Sequence, residues 1–136
     1  MARMIFVNLP VQDLAKATAF YTALGFEQNA QFSDENASSF AISDTIHLMV
    51  LVEPFFKTFT KKEIADATRT TEAIVCLSAD SREEVDELVE KAFAAGAGTS
   101  NDPMDQGFMY GRSFQDPDGH LWEVVYMDMS AMPAQG

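Results

Sequence analysis

Apolar residues recur along this chain with two periods, and the order of those periods repeats. Residues 4–9 form an apolar run broken by Asn8 and stopped by Pro10, which predicts a strand. Asp13 is placed to cap a helix. Leu14, Ala17, Phe20, Tyr21 and Leu24 then recur at helical spacing and Gly25 suits a left-handed C-cap, so residues 14–24 are predicted as a short amphipathic helix. Three strand-like stretches follow at 26–32, 38–42 and 46–52. The turn-forming residues Asp34, Glu35, Asn36, Ser43 and Asp44 separate them.

A second half starts near Thr70 and runs in the same order. Residues 72–77 read as a strand, and Ser81 with Glu84 forms a capping box, whose side chains satisfy free amides at a helix start. Val85, Leu88, Val89, Ala92 and Phe93 fall on one helical stripe, which Gly96 ends. Strands are predicted at 98–100, 110–115 and 121–127, with the sharp turn from Asp116 to Gly119 between the last two. The halves share a pattern rather than letters. Such a repeat decides the fold: an α+β chain of two βαβββ modules forming a curved mixed sheet around a cavity.

Module one is expected at about 4–52 and module two at about 70–127. A linker at 53–69 joins them, a patternless and loose tail occupies 128–136, and the 136 residues count as a single domain. In the linker, Thr60 and Glu63 make another capping box and predict a short helix over 61–67. Phe55, Phe56 and Phe59 beside it could be a lid over a pocket, a hydrophobic seal or a subunit contact. Packing is the favoured reading, since apolar residues next to an amphipathic helix usually face a core.

Charge narrows the function. Against 9 Lys and Arg stand 21 Asp and Glu, a formal net charge of -12. Such a surface repels phosphate backbones and anionic lipid, so neither nucleic acid nor membrane is expected as a partner. No apolar run approaches the roughly 20 residues of a membrane span. The N-terminus enters a strand at once without the marks of a signal peptide, and the lone Cys76 cannot form an internal disulfide. A cytoplasmic location is therefore expected. No nucleophile elbow, phosphate loop or dinucleotide fingerprint occurs.

Three strings carry a family resemblance: LPVQDL from Leu9 to Leu14, FYTALGF from Phe20 to Phe26, and FQDPDGHLWE from Phe114 to Glu123. In this order and spacing, with the paired βαβββ pattern, the chain resembles the glyoxalase / bleomycin-resistance / extradiol-dioxygenase (vicinal oxygen chelate) superfamily over residues 4–127. The resemblance implies sheets curled around a cavity, a homodimer and a small-molecule ligand or substrate. It also implies a divalent metal (Zn, Mn, Fe or Ni) with one ligand from the first and one from the last strand of each half. That metal would polarise vicinal oxygens as a Lewis acid. Members include lyases, isomerases, dioxygenases and metal-free proteins that sequester antibiotics, so the fold does not fix the reaction.

Carried over residue by residue, the resemblance sets four ligand positions. The first falls on Phe6, which offers no lone pair, with Asn8 on the same strand face. His47 takes the second, with Met49 on its face. Glu72 takes the third, with Ile74 and Cys76 on its face, although a match placed by Asp80 would give Ala73 instead. Glu123 takes the fourth, its register set by the DPDG turn. His47, Glu72 and Glu123 are thus the candidate metal ligands, with Glu72 or Glu123 able to act as a catalytic general base. Phe6, Asn8, Met49 and Ile74 are candidate pocket residues. Tyr110 and Arg112 join them as a clamp for an anionic group, or else Arg112 makes a surface ion pair. His120 is expected in an exposed turn, and Trp122 on the face away from Glu123, in helix packing or a dimer contact. Two functions stay open: a metal-dependent enzyme, and a metal-free protein that sequesters an apolar or aromatic molecule.

Overall fold

The computed structural model describes residues 2–131, and the chain divides between Thr70 and Thr71 into two compact units. In the first, strand β1 (Ile5–Val11) leads to helix α1 (Leu14–Ala23) and then to β2 (Glu27–Gln28), β3 (Ala37–Ala41) and β4 (Ile46–Val52). Helix α1 starts where Asp13 accepts the Lys16 amide at 3.1 Å, and it stops before Gly25 at φ +95°. The sheet order is β1-β4-β3-β2, parallel between β1 and β4 and antiparallel elsewhere.

The second unit repeats this topology. Strand β5 (Ile74–Ala79) leads to helix α2 (Arg82–Ala94), then β6 (Met104–Asp105), β7 (Met109–Gln115) and β8 (Leu121–Met127), in sheet order β5-β8-β7-β6. The α2 capping box forms: Ser81 accepts the Glu84 amide at 3.1 Å, while the Glu84 carboxylate reaches back to the Asp80 amide at 2.8 Å. Each unit is thus one four-stranded mixed sheet with its helix, and the expected α+β class and double βαβββ order hold.

Alternation divides each sheet into two faces. In the first unit Leu9, Val11, Phe40, Leu48 and Val50 are buried on the face that α1 covers with Ala17, Phe20 and Tyr21. Tyr21 packs against Phe40, and the Thr18 and Ser38 hydroxyls meet at 2.7 Å. In the second, Trp122 and Phe114 stack at 6.3 Å between ring centres, with Val124, Val85 and Val89 buried around them. Trp122 is wholly buried, on the face away from Glu123 as expected; a buried aromatic pair contributes about 0.5–1.5 kcal/mol beyond the area it hides.

Several boundaries differ from the sequence reading. The stretch 26–32 is a two-residue strand followed by a 3-10 turn at Ala30–Phe32, because the Asn29 side chain accepts the Gln31 amide and bends the chain. No helix forms over 61–67. The Thr60 hydroxyl accepts from Lys62, two residues on, rather than from Glu63, so the capping box is not made. Helical turns occupy instead Glu53–Phe56 and Lys57–Phe59. There Phe55 and Phe59 meet edge to face at 5.2 Å while Phe59 stays 70% exposed, so that ring seals nothing within its own unit. The expected strand at 98–100 reduces to one bridge, Gly98 with Gln115. Part of the tail is structured, with a 3-10 turn at Met129–Ala131, and residues 132–136 lie outside the described residues.

Candidate functional site

The faces that α1 and α2 leave open carry the chemistry. In the first unit, register sets Phe6 beside His47 and Asn8 beside Met49 on that open face. The Phe6 ring lies over the imidazole at 5.0 Å between centres and 17° between planes, yet is 53% exposed. His47 Nε2 is buried and has no hydrogen-bond partner among the described residues. The Asn8 amide turns back onto its own strand, donating to the Phe6 carbonyl at 3.1 Å.

In the second unit Cys76 is the register partner of Glu123, and Ser113 flanks Glu123 on the other side. Ile74 stands on the same face and is exposed. Burial, with the Glu123 charge as the second cause, pushes the Cys76 thiol up, so it is held as a thiol rather than a thiolate. A cleft of about 250 Å³ opens here, walled by Asp102, Met104, Gly111, Ser113, Glu123 and Val125.

Glu72 is elsewhere. It precedes β5 instead of lying in it, and its Oε1 is 2.9 Å from His120 Nδ1. His120, expected in an exposed turn, is 3% exposed. Asp116 Oδ1 accepts the backbone amides of Asp118 and His120, and Gly119 turns the chain at φ +89°, which folds the ring inward. Sequence carried a signal for this: His120 has the phase of Trp122 and Val124, both on the covered face.

Tyr110 and Arg112 share that phase, although Arg112 also borders the cleft beside Glu123. Their partners are on α2. The Tyr110 hydroxyl donates to Asp86 at 2.6 Å, and Arg112 donates to Asp86 at 3.0 Å and to Glu90 at 2.8 Å. The Asp86 carboxyl is held below its ordinary value by the Tyr110 bond first and the Arg112 bond after it, while that same bond to Asp86 raises the Tyr110 hydroxyl. Of the two readings for Arg112, the ion pair is the one formed, since alternation sends these side chains toward the helix and its carboxylates.

A divalent ion finds no fitting donor set in these residues. Phe6 has no lone pair and covers the imidazole of His47. Glu72 is engaged by His120. Among the described residues no group of three or more His, Cys, Asp or Glu side chains could hold a metal ion. Nor is any helix among them long and apolar enough to cross a membrane.

Known structures share this architecture. A hypothetical protein from S. aureus is 29% identical, with 93% of this chain and 94% of that one covered and a TM-score of 0.77. A glyoxalase/bleomycin resistance protein/dioxygenase family enzyme from Burkholderia phytofirmans PsJN is similar at 19% identity over 93% and 99% of the two chains, TM-score 0.75. The fosfomycin resistance protein FosX from Mesorhizobium loti is similar at 14% identity over 96% of each, TM-score 0.68. The last two show the fold alone. No curated protein matches the chain. The sequence model of one family matches residues 3–124, and on that match the chain belongs to the Glyoxalase/Bleomycin resistance protein/Dioxygenase superfamily.

Proposed function

We propose that the protein binds a small, flat organic molecule against the open face of its first sheet, by stacking and without a metal ion. The half-exposed Phe6 ring, already stacked on His47 and flanked by Met49, carries this reading. An aromatic face left in water next to a thioether is a platform for a second ring. Stacking one adds about 0.5–1.5 kcal/mol, so Phe6→Ala weakens binding roughly 2- to 12-fold. Calorimetric titration with 1-naphthol and quinoline tests it. Binding that is absent, or equally tight in the variant, sinks the reading. A homodimer in a reducing cytoplasm belongs to the same proposal, supported by the resemblance and the single cysteine; sedimentation checks the dimer mass.

A second reading, a divalent-metal lyase, isomerase or dioxygenase, draws on the unpaired Nε2 of His47 and on Glu123 standing over a cleft. It requires Phe6 to move off the imidazole and Glu72 to leave His120. Elemental analysis of protein purified without chelator separates the two. Stoichiometric Zn, Mn, Fe or Ni that is lost in Glu123→Ala favours the second reading over the first.

A further inference from the structure

A larger cavity of about 400 Å³ lies in the second unit under the segment that follows α2, bounded by Phe93, Arg112 and the loop from Thr99 to Asp102. Its size falls within the range of small-molecule sites. The loop is fixed by hydrogen bonds to β7. Gly98 and Gln115 exchange backbone bonds at 2.9 and 2.8 Å, and the Gln115 amide donates to the Thr99 carbonyl at 2.9 Å. The Ser113 hydroxyl accepts the Asn101 amide at 2.9 Å and donates to the Asn101 carbonyl at 3.2 Å.

All of these bonds use the loop's backbone. The side chains of Thr99, Ser100, Asn101 and Asp102 keep no partner among the described residues. Arg112 is already committed, its guanidinium bonded to Asp86 and Glu90 and lying 5.8 Å from the Phe93 ring centre. As lining residues these offer a guest two hydroxyls, one amide and one carboxylate, Ser100 half-buried and the other three exposed, on a backbone that is already ordered. Hydroxyls and amides both donate and accept, and a carboxylate accepts only. An alcohol meets all of them, because each of its hydroxyls also donates and accepts. An anion would meet the Asp102 carboxylate and a chain of net charge -12. A cation would gain only the modest attraction of an exposed carboxylate.

We propose that this cavity, which shares Asn101, Asp102, Arg112 and Ser113 with the cleft beside Glu123 and none of its lining with the Phe6 platform, is a second binding site for a neutral polyhydroxylated molecule of sugar size. The preordered loop lowers the entropy cost of binding. The test is an NMR titration of the whole chain with three probes of similar shape: glucose, its cationic amine glucosamine and its anionic acid gluconate. The expected result is saturable movement of the Thr99, Ser100, Asn101 and Asp102 amides with glucose, and weaker binding of both charged probes. The double variant Thr99→Val, Ser100→Ala alters side chains that the fold does not use. It should keep the wild-type spectrum elsewhere and lose on the order of five-fold in glucose affinity per hydrogen bond removed. Movement that does not saturate, that centres on other residues, or that is as strong with either charged probe overturns the proposal. So does unchanged glucose affinity in the double variant.

Discussion

Replacing Glu72 by alanine separates two roles for this carboxylate. The structure gives it a local duty, since its Oε1 accepts from the Nδ1 of a His120 ring that is 3% exposed. That bond ties the entry of β5 to the turn between β7 and β8, where Asp116 already binds two backbone amides. Alanine removes the acceptor and leaves a buried ring nitrogen without it, which costs about 1–3 kcal/mol. The Glu72 side chain is itself 26% exposed, so the hole opens toward water and adds little. For a chain of this length about 1 kcal/mol lowers Tm by roughly 3–5 °C, which sets a fall of about 3–15 °C. Urea and thermal unfolding measure it, with Glu72→Gln as the partner variant. Gln keeps an acceptor oxygen and should recover most of the loss. If Glu72→Ala unfolds like wild type, the bond to His120 carries no stability, and if it also loses a bound divalent metal, Glu72 is a ligand instead.

Gly111→Val should lower stability by about 1–3 kcal/mol through overpacking. A Cβ there would sit 3.2 Å from Val125 Cγ2 and 3.6 Å from the Val124 carbonyl, and an unchanged urea midpoint would show that β7 yields freely. The β6–β7 hairpin should loosen in acid. Arg82 holds the Asp105 carboxyl down to about 2 from an ordinary 3.8 through a two-pronged pair, with the Gly107 amide as a further cause. A depressed folded-state value contributes stability that is full above the ordinary value and fades as pH falls toward 2. Amide protection at Gly107 and Met109 should drop across that window in wild type and stay flat in Asp105→Asn; a drop centred near neutral pH would contradict the assignment.

The repeat was legible because its two periods, 2 and 3.6, are imposed by burial on one face, and the faces are real: Val85, Val89 and Ala92 of the α2 stripe are buried, with Leu88 and Phe93 half-buried at its edge. Where burial does not act, the reading failed. Residues 61–67 carry one branched apolar residue, Ile64, and a seven-residue helix without a stripe to bury does not hold itself together. The strand at 98–100 was misplaced for a related reason, since a polar stretch with a single bridge to Gln115 has no alternation to read. Side-chain phase in β7 and β8 was legible in principle. Once Trp122 and Phe114 are set on the covered face, counting by twos brings His120, Arg112 and Tyr110 with them, and Asp86 and Glu90 stand one helical turn apart to receive Arg112.

What no count along the chain supplied was the register between β5 and β8, and it changes which residue stands beside Glu123. In the first unit β1 and β4 set Phe6 against His47; in the second, β5 and β8 set Cys76 against Glu123. Both pairs occupy open faces and both join a first strand to a last strand in parallel. The last strand contributes a side chain with a lone pair in each case. The first contributes a ring with none, or a thiol that its surroundings keep protonated. Its distance in sequence from the helix puts Glu72 in the first-strand slot, but β5 begins two residues later and the carboxylate is drawn to His120. The repeat is thus kept in backbone register while its first-strand chemistry is soft and apolar in both halves. The Phe6 slot therefore offers a metal ion no lone pair, whereas the Cys76 thiol would have to give up its proton to coordinate one, so the proposed stacking rests on the first unit.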